Sequence, residues 1–274
     1  FEDSHGYVWV GTKKVLNRFD PKTNSFLRIL IPSKKTERTP TDYIYSICET
    51  PDGSIWSATA RGLIRVVMNG DRTYDLQHYD LDPAEKDAAL DNFIYCVRPA
   101  RHEPNTLWLG SKAGLKKVVF SDSNPGFIQI AAAYRAAPGS GLSNNIIPDF
   151  LETTDGNLWI ATFHGLNLLD TKTGQFSSFF AEAGEQYSLG NSLIRSLYQD
   201  RTGILWIGTD KGVNKLNLRH KPFQSIRFDK PGVVANSIVT DICNAGTPGC
   251  LWIGVNGGLN QVSCHPTPGR LHHY

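Results

Sequence analysis

The chain has 274 residues, of which 40% are hydrophobic and 20% are charged, and 28 Lys and Arg residues stand against 26 Asp and Glu residues for a net charge of +2. This composition excludes wholesale disorder, and the near-neutral charge provides no global electrostatic signature for nucleic acid or an anionic membrane. The sequence has no apolar stretch near the roughly 18 residues that a membrane helix needs. The length is sufficient for a sizeable hydrophobic core.

Six Trp residues mark an internal repeat. They follow one another at intervals of 47, 52, 51, 47 and 46 residues, each inside a similar phrase such as Leu-Trp-Ile-Gly-Thr. Gly-Leu or Gly-Val follows the phrase in five of the six copies. The six are Trp9, Trp56, Trp108, Trp159, Trp206 and Trp252. Periodicity of this length is typical of repeat architectures.

The fifth repeat shows the strands of one unit. Its residues 193–199, 205–209, 213–218 and 223–228 are short stretches rich in β-branched and aromatic residues, with turn residues between them. Four short strands in each repeat are typical of a propeller blade. An all-β sandwich is the alternative, but it does not explain a fixed period with the same Trp. The sequence therefore predicts an all-β β-propeller of four-stranded blades, forming a single domain over residues 1–274.

The Trp residues are expected to be packing residues. Blades stack face to face, so a central strand needs large apolar side chains on its buried faces. A small residue follows each Trp at the second position, and we expect it to let neighbouring backbones approach closely. These small residues are Gly11, Ala58, Gly110, Ala161, Gly208 and Gly254.

The repeat resembles that of the two-component regulator propeller family. The family pattern is an Asp-Gly or Asp-x-x-Gly turn, then Leu-Trp-Ile-Gly-Thr, Gly-Leu-Asn and an Asp, and residues 154–170 and 200–214 follow it closely. The resemblance covers nearly the whole chain. It implies a non-catalytic sensor on the periplasmic or extracellular side of a bacterial membrane protein, either a hybrid histidine kinase or a diguanylate cyclase receptor. Many such kinases detect glycan fragments.

The family usually builds propellers of seven blades, often two in tandem, and this chain departs from that pattern. It shows six Trp phrases, and the first repeat begins at Phe1 without room for an inner strand. We therefore expect a first blade that lacks its inner strand. We also expect the chain to be a fragment of a longer sensor, with a seventh blade or a second propeller outside it.

The loops between the second and third strands share one face of a propeller, which is the usual ligand face. They contain one acid, Asp210, and a local excess of cations. One interpretation is an anion-attracting mouth for uronates, sulfated sugars or phosphate esters. The ordinary composition of exposed turns favours the alternative that these side chains are simply solvated. The candidates are Lys13, Lys14, Arg61, Lys112, His164 and Lys211.

The inner strands contribute a second set of candidates. Tyr45, Tyr95 and Arg195 share one aligned repeat position, and Asp149 and Asp241 share the next. These are the residues that we expect to contact a sugar. Solvation of the central channel explains their polarity equally well.

Catalytic and metal-binding motifs are absent from the sequence. The eight His residues show no zinc-ligand spacing, and neither a Gly-x-Ser-x-Gly elbow nor a phosphate loop is present. We therefore expect no cofactor and no nucleic-acid partner. The expected partners are an oligosaccharide or another anionic small ligand, and a second copy of the chain or a second propeller. A propeller-fold carbohydrate-active hydrolase or lyase is the alternative function.

The five Cys residues suggest one disulfide. Cys250 and Cys264 are equidistant from residue 257, at the centre of the hairpin of the last blade. That symmetry would place them opposite each other on adjacent strands, where a disulfide can form, unless a one-residue bulge misaligns the pair. Cys48, Cys96 and Cys243 lie on inner strands and are expected to be buried thiols.

Overall fold

The computed structural model of the chain describes residues 1–13, 15–31, 43–81, 92–121, 124, 126–183, 188–218, 223–226, 238–247, 250–256, 258–263 and 271–273. Within these ranges the regular structure consists of β-strands. The strands form six antiparallel sheets, one for each Trp repeat. The chain divides into two compact units, unit 1 (Phe1–Arg135 with Asn145–Ile147) and unit 2 (Ala136–Asn144 with Pro148–Tyr274).

Unit 1 contains sheets 1 to 3, in which the strands pair in chain order. Sheet 1 consists of β1 (Val8–Gly11), β2 (Val15–Asp20) and β3 (Ser25–Leu30). Sheet 2 consists of β4 (Ile44–Glu49), β5 (Ile55–Thr59), β6 (Gly62–Met68) and β7 (Tyr74–Tyr79). Sheet 3 consists of β8 (Ile94–Pro99), β9 (Thr106–Ser111), β10 (Gly114–Phe120) and β11 (Ile128–Tyr134).

Unit 2 contains sheets 4 to 6 with the same connectivity. Sheet 4 consists of β12 (Asp149–Glu152), β13 (Leu158–Thr162), β14 (Gly165–Leu169) and β15 (Phe176–Phe179). Sheet 5 consists of β16 (Ile194–Gln199), β17 (Ile204–Thr209), β18 (Gly212–Asn217) and β19 (Phe223–Ile226). Sheet 6 consists of β20 (Val239–Asn244), β21 (Cys250–Val255), β22 (Gly258–Ser263) and β23 (Leu271–His273). The four strands predicted for the fifth repeat are confirmed, the last of them as far as Ile226, since residues 227 and 228 lie outside the described residues.

Sheet 1 differs from the others in the way that the sequence predicted. It has three strands, and the first of them carries the Trp. Where the other sheets have an inner strand, Phe1 and Glu2 pair with β1. The backbone N–H of Trp9 donates a hydrogen bond to the Phe1 carbonyl (2.6 Å), and Glu2 forms an antiparallel bridge with Val8.

Most Trp side chains are covered by the sheet that follows them in the same unit. Trp9 is 1% exposed and lies in a hydrophobic cluster with Ile55 of sheet 2. Trp206 is also 1% exposed and packs with Val239 of sheet 6. Trp252 of sheet 6 is only half-buried, because the described part of unit 2 has no later sheet to cover it. The packing role predicted for Trp is thus confirmed for the other five, which are all buried.

At Gly11 and Gly208 the small residue after the Trp allows the close approach that the sequence predicted. A Cβ added at Gly11 would come within 2.5 Å of the Ile44 side chain of sheet 2. A Cβ at Gly208 would likewise overlap Ser196 and Val239. Neither position has space for a larger side chain, so the inner strand of the following sheet can pack directly against the Trp strand.

Four hairpins that follow the Trp strands share one hydrogen-bond pattern. In the β17–β18 hairpin, the Thr209 hydroxyl donates to the Gly212 carbonyl (2.8 Å) and accepts from the backbone N–H of Lys211 (3.2 Å). Gly212 has a φ of 112°, in the left-handed region that favours glycine. Thr59, Ser111 and Thr162 form the same bonds in the β5–β6, β9–β10 and β13–β14 hairpins. The hydroxyl group of the Thr/Ser-x-x-Gly sequence therefore fixes the backbone of the two residues at the tip of each hairpin.

The cysteines differ in part from the prediction. The register of β21 and β22 places Ser263 opposite Cys250, because two residues rather than three connect these strands. The symmetry expected about residue 257 is therefore wrong by one residue. Cys250 is a free thiol, and Cys264 lies outside the described residues.

Two of the three remaining thiols are buried as expected. Cys48 and Cys96 are buried, and burial raises the pKa of Cys48 to about 12. Cys243 is exposed, in contrast to the prediction. The equivalent Cys48 packs in a hydrophobic cluster with residues of sheet 3, whereas the described part of unit 2 has no sheet after sheet 6 to cover Cys243.

Candidate ligand-binding site

A β-bulge lies near the start of the inner strand in four sheets. In β4 the register with β5 skips Tyr45, so this residue has no partner across the strand. Tyr95, Arg195 and Thr240 occupy the same place in β8, β16 and β20. A bulge bends the strand and redirects the side chain of the extra residue. The aligned position that the sequence singled out is therefore a bulge position.

Four aromatic side chains of unit 1 lie together where β4 and β8 begin, and we call Tyr43, Tyr45, Phe93 and Tyr95 the aromatic cluster. The ring centre of Tyr45 is 5.2 Å from that of Phe93 and 5.7 Å from that of Tyr95. Phe93 and Tyr95 are 4.9 Å apart, and Tyr43 extends the group at 6.3 Å from Tyr45. Tyr43 and Tyr45 are 44% and 42% exposed. The cluster thus presents aromatic surface to solvent.

The local sequence explains why these rings share one side of the sheets. Side chains two residues apart in an extended strand point the same way, so Tyr43 joins Tyr45 and Phe93 joins Tyr95. The intervening Ile44 and Ile94 point into the core. Tyr45 and Tyr95 were predicted from the sequence as site residues, whereas Tyr43 and Phe93 were not. The signal was available as an aromatic-Ile-Tyr tripeptide at the same place in two repeats, at residues 43–45 and 93–95.

Two of the predicted cations contact the aromatic cluster. The Nζ atom of Lys112 lies 3.6 Å from the centre of the Phe93 ring, and that of Lys13 lies 5.5 Å from the centre of the Tyr43 ring. The backbone holds both lysines in place. The N–H of Lys112 donates to the Phe93 carbonyl (3.0 Å), and Lys13 forms an antiparallel bridge with Tyr43. An ammonium group over a ring face is attracted by the ring quadrupole.

The phenol of Tyr45 is a hydrogen-bond donor at neutral pH. Burial, and to a smaller degree the neighbouring phenol of Tyr43, raises the pKa of Tyr45 above its ordinary value. The cluster therefore combines apolar ring faces, neutral phenols and two ammonium groups. This arrangement can pack against an apolar ligand face while donating hydrogen bonds and neutralising an anion.

The other predicted cations of unit 1 are placed less directly. Arg61 lies at the tip of the β5–β6 hairpin, and the neighbouring Gly62 N–H donates to the Asn92 carbonyl (2.7 Å), one residue before Phe93. The hairpin therefore contacts the segment that leads into β8. Lys14 lies outside the described residues.

In unit 2 the predicted residues form a different group. The guanidinium of Arg195 pairs with both carboxylate oxygens of Asp210, at 2.7 and 3.3 Å, and lies 4.4 Å over the Phe163 ring. The ring of His164 is 5.2 Å from that of Phe180. Lys211 is exposed beside Asp210 on the same hairpin tip. The positive charge of Arg195 is thus compensated within unit 2 by an ion pair that was not predicted from the sequence.

The two predicted acids have different surroundings. Asp149 is 8% exposed, and its carboxylate accepts hydrogen bonds from the backbone N–H groups of Leu197 (2.7 Å) and Phe150 (2.9 Å). It therefore joins β12 to β16. Asp241 is exposed near the start of β20 and accepts the N–H of Ile242 (2.8 Å).

The described residues contain no cluster of three or more His, Cys, Asp or Glu side chains that could hold a metal ion. The same part of the chain forms no helix able to cross a lipid bilayer. The aromatic cluster with Lys13 and Lys112 is therefore the candidate site that the geometry supports best.

Comparison with protein-family models gives matches to the two component regulator propeller at residues 39–61, 141–164 and 188–211. The three stretches contain Trp56, Trp159 and Trp206, respectively. Comparison with curated proteins finds no match.

Several solved structures share the fold. The extracellular domain assigned to a hybrid two component system of B. thetaiotaomicron is 19% identical, with a TM-score of 0.73 over 94% of this chain and 32% of the other. This chain thus spans about a third of that protein's length. Virginiamycin B lyase from Staphylococcus aureus is 12% identical, with a TM-score of 0.67 over 100% of this chain and 82% of the lyase. The beta-propeller domain of Cps50 (Swd1) from Myceliophteria thermophila is 14% identical, with a TM-score of 0.66 over 99% of this chain and 83% of the other. At these identities the likeness shows the β-propeller fold alone.

Proposed function

Because three stretches of this chain match the two component regulator propeller, we propose that the chain is the ligand-sensing propeller of a bacterial transmembrane signalling protein. The similar domain from B. thetaiotaomicron is extracellular, which supports a location in the periplasm or outside the cell. We also propose that a signalling module of the same protein responds to the ligand. A hybrid histidine kinase or a diguanylate cyclase is the module that the family resemblance favours.

The proposal for the ligand rests on the aromatic cluster. The C–H face of a sugar ring is apolar and packs on exposed rings such as those of Tyr43 and Tyr45. Phenol and ammonium groups donate hydrogen bonds to sugar hydroxyls, and the ammonium groups of Lys13 and Lys112 attract a carboxylate or a sulfate. We therefore propose an acidic oligosaccharide as the ligand, with uronate or sulfated sugars in contact with this cluster.

Calorimetry with an oligogalacturonate tests this proposal. We expect the chain to bind it, and we expect Tyr45→Ala to weaken binding at least tenfold, about 1.4 kcal/mol. Phe127→Ala is the matched control, because Phe127 is 40% exposed in unit 1 but lies outside the aromatic cluster. Binding that Tyr45→Ala leaves unchanged, or a failure to bind any acidic oligosaccharide, would overturn the proposal for the ligand.

A carbohydrate-active lyase or hydrolase on the same scaffold is the alternative, suggested by the fold that the chain shares with virginiamycin B lyase. The two functions differ in what happens to the ligand. A sensor returns the oligosaccharide intact after prolonged incubation, whereas a lyase or hydrolase shortens it. Chromatography of the recovered ligand distinguishes them, and shortened products would favour the enzyme.

A further inference from the structure

A second site in unit 1 surrounds a buried arginine. A pocket of about 200 Å³ is lined by side chains that include Tyr7, Arg18, Asp20, Phe26 and Arg72. It lies at the end of β2 that turns into β3, whereas Lys13 of the candidate sugar site precedes the opposite end of that strand. The six residues of β2 span about 17 Å, so the two sites are separate.

The repeat places a cation opposite the Trp in all three sheets of unit 1. The pairs are Trp9 with Arg18, Trp56 with Arg65, and Trp108 with Lys117. In sheets 2 and 3 this cation has an acidic partner from its own sheet. Arg65 pairs with Asp52 (2.6 Å) and Lys117 pairs with Glu103 (2.5 Å).

Arg18 breaks this pattern. The acid that precedes Trp9 in the corresponding turn, Asp3, is engaged elsewhere, since its carboxylate accepts hydrogen bonds from the Trp9 indole N–H (2.6 Å) and the Tyr7 backbone N–H (2.9 Å). The Arg18 guanidinium instead lies 4.2 Å over the Tyr7 ring and donates to the Asp71 carbonyl. Among the described residues no carboxylate forms an ion pair with it.

The burial of Arg18 makes this arrangement costly. Its side chain is only 8% exposed, and a buried charge without a counter-ion is strongly unfavourable. Most of the five N–H donors of a guanidinium are still available for an acceptor in the pocket. The unfavourable burial is relieved if an anion enters.

The acids in the pocket lining do not supply that anion. The carboxylate of Asp20 is held by its own turn, where it accepts the Lys22 backbone N–H (2.8 Å) and the Thr23 hydroxyl (2.7 Å). Asp71 and Arg72 are exposed to solvent on the turn before β7. The buried charge that lines this pocket is therefore the positive charge of Arg18.

We propose that this pocket binds a small organic carboxylate. A guanidinium matches a carboxylate through two parallel N–H···O bonds, which gives both attraction and orientation. The rings of Tyr7 and Phe26 provide an apolar wall for the rest of the molecule. A cavity of about 150 Å³ holds benzene, so the space here accommodates one ring with its carboxylate.

Benzoate and its uncharged isostere benzamide are the probes for the test. We expect calorimetry of the whole chain to show benzoate binding at least tenfold more tightly than benzamide. Arg18→Gln should weaken benzoate binding at least tenfold. Arg28→Gln should leave it unchanged, because Arg28 is exposed on β3 and does not line the pocket. Equal binding of the two probes, or benzoate binding that Arg18→Gln does not reduce, would overturn the proposal.

A measurement on the unaltered chain covers the case in which Arg18→Gln fails to fold. On titration of the isotope-labelled protein with benzoate, the largest amide shifts should fall at Thr23, Ser25 and Asp71, which line the pocket. Shifts concentrated elsewhere in the chain would contradict the site. The result is independent of the proposed function, because the sugar experiment depends on Tyr45 and the aromatic cluster.

Discussion

The ammonium group of Lys112 lies 3.6 Å from the centre of the Phe93 ring, and the backbone N–H of the same lysine donates a hydrogen bond to the Phe93 carbonyl (3.0 Å). Both contacts join the tip of the β9–β10 hairpin to the residue that precedes β8. The side chain is therefore anchored at both ends. A flexible lysine thus becomes a positive charge with a fixed position beside the aromatic cluster.

Replacing Lys112 with Met tests the role of this charge. The change keeps most of the apolar stem and removes the ammonium, so we expect the affinity for an acidic oligosaccharide to fall about tenfold while a neutral one binds as before. The loss should shrink at high salt, because screening weakens the charge interaction in the unaltered chain. Lys22→Met is the control, since Lys22 is exposed on the β2–β3 turn. Equal losses for both sugars would contradict a role for the charge.

Arg65→Met is expected to destabilise the fold. Arg65 is 5% exposed and pairs with Asp52 at 2.6 Å, so its removal leaves a partly buried carboxylate without its partner. We expect the free energy of unfolding, measured with urea, to fall by about 3 kcal/mol. Lys117→Met should change it by less than about 1 kcal/mol, because the Glu103 partner is 52% exposed. Similar losses in both variants would show that burial of the pair is not decisive.

The stability of unit 1 should depend on pH through Asp52. Burial alone would raise the pKa of this carboxyl, but hydrogen bonds from Ser54, Thr50 and Arg65 outweigh that effect and hold the pKa below its ordinary value. A lowered pKa in the folded state means that the carboxylate stabilises the fold above the pKa of the unfolded chain, about 3.9. That contribution is lost as the pH falls through the folded pKa.

Melting temperatures measured at a series of pH values test this dependence. The unaltered chain should lose stability more steeply below about pH 5 than Asp52→Asn, in which the group cannot titrate. Asp75→Asn is a suitable control, because Asp75 lies on the same sheet and forms no bond with Arg65 among the contacts of the described residues. Parallel curves for the unaltered chain and Asp52→Asn would contradict the assignment.

The contribution of each Trp residue to the free energy of unfolding should depend on how deeply its side chain is buried. Trp206 is 1% exposed beneath sheet 6, and Trp206→Ala should lower the free energy of unfolding by about 4 kcal/mol. Trp252 is half-buried, so Trp252→Ala should cost clearly less. Urea unfolding of the two variants checks the difference. A larger loss for Trp252→Ala would mean that something outside the described residues covers that side chain.

Part of the candidate site could be predicted from the sequence, but not the full set of residues that form it. Tyr45 and Tyr95 emerged from the alignment of the repeats, whereas Tyr43 and Phe93 lie just before the strands and were missed. That these rings meet in one cluster depends on how sheets 2 and 3 pack against each other rather than on one stretch of sequence. The ion pairs could not be predicted from the sequence either, because Arg195 on β16 pairs with Asp210 at the tip of the β17–β18 hairpin.

The sequence by itself determined the repeat, the four-stranded unit and the packing role of Trp. These features follow from short-range patterns, such as the Trp phrase and the Thr-x-x-Gly hairpin, that act within one strand pair. Tertiary structure alone decided which side chains meet: the aromatic rings of sheets 2 and 3 in one cluster, and Arg18 without an acidic partner beside its pocket. Such contacts join residues far apart in the chain. Their geometry depends on how neighbouring sheets stack, which no local pattern encodes.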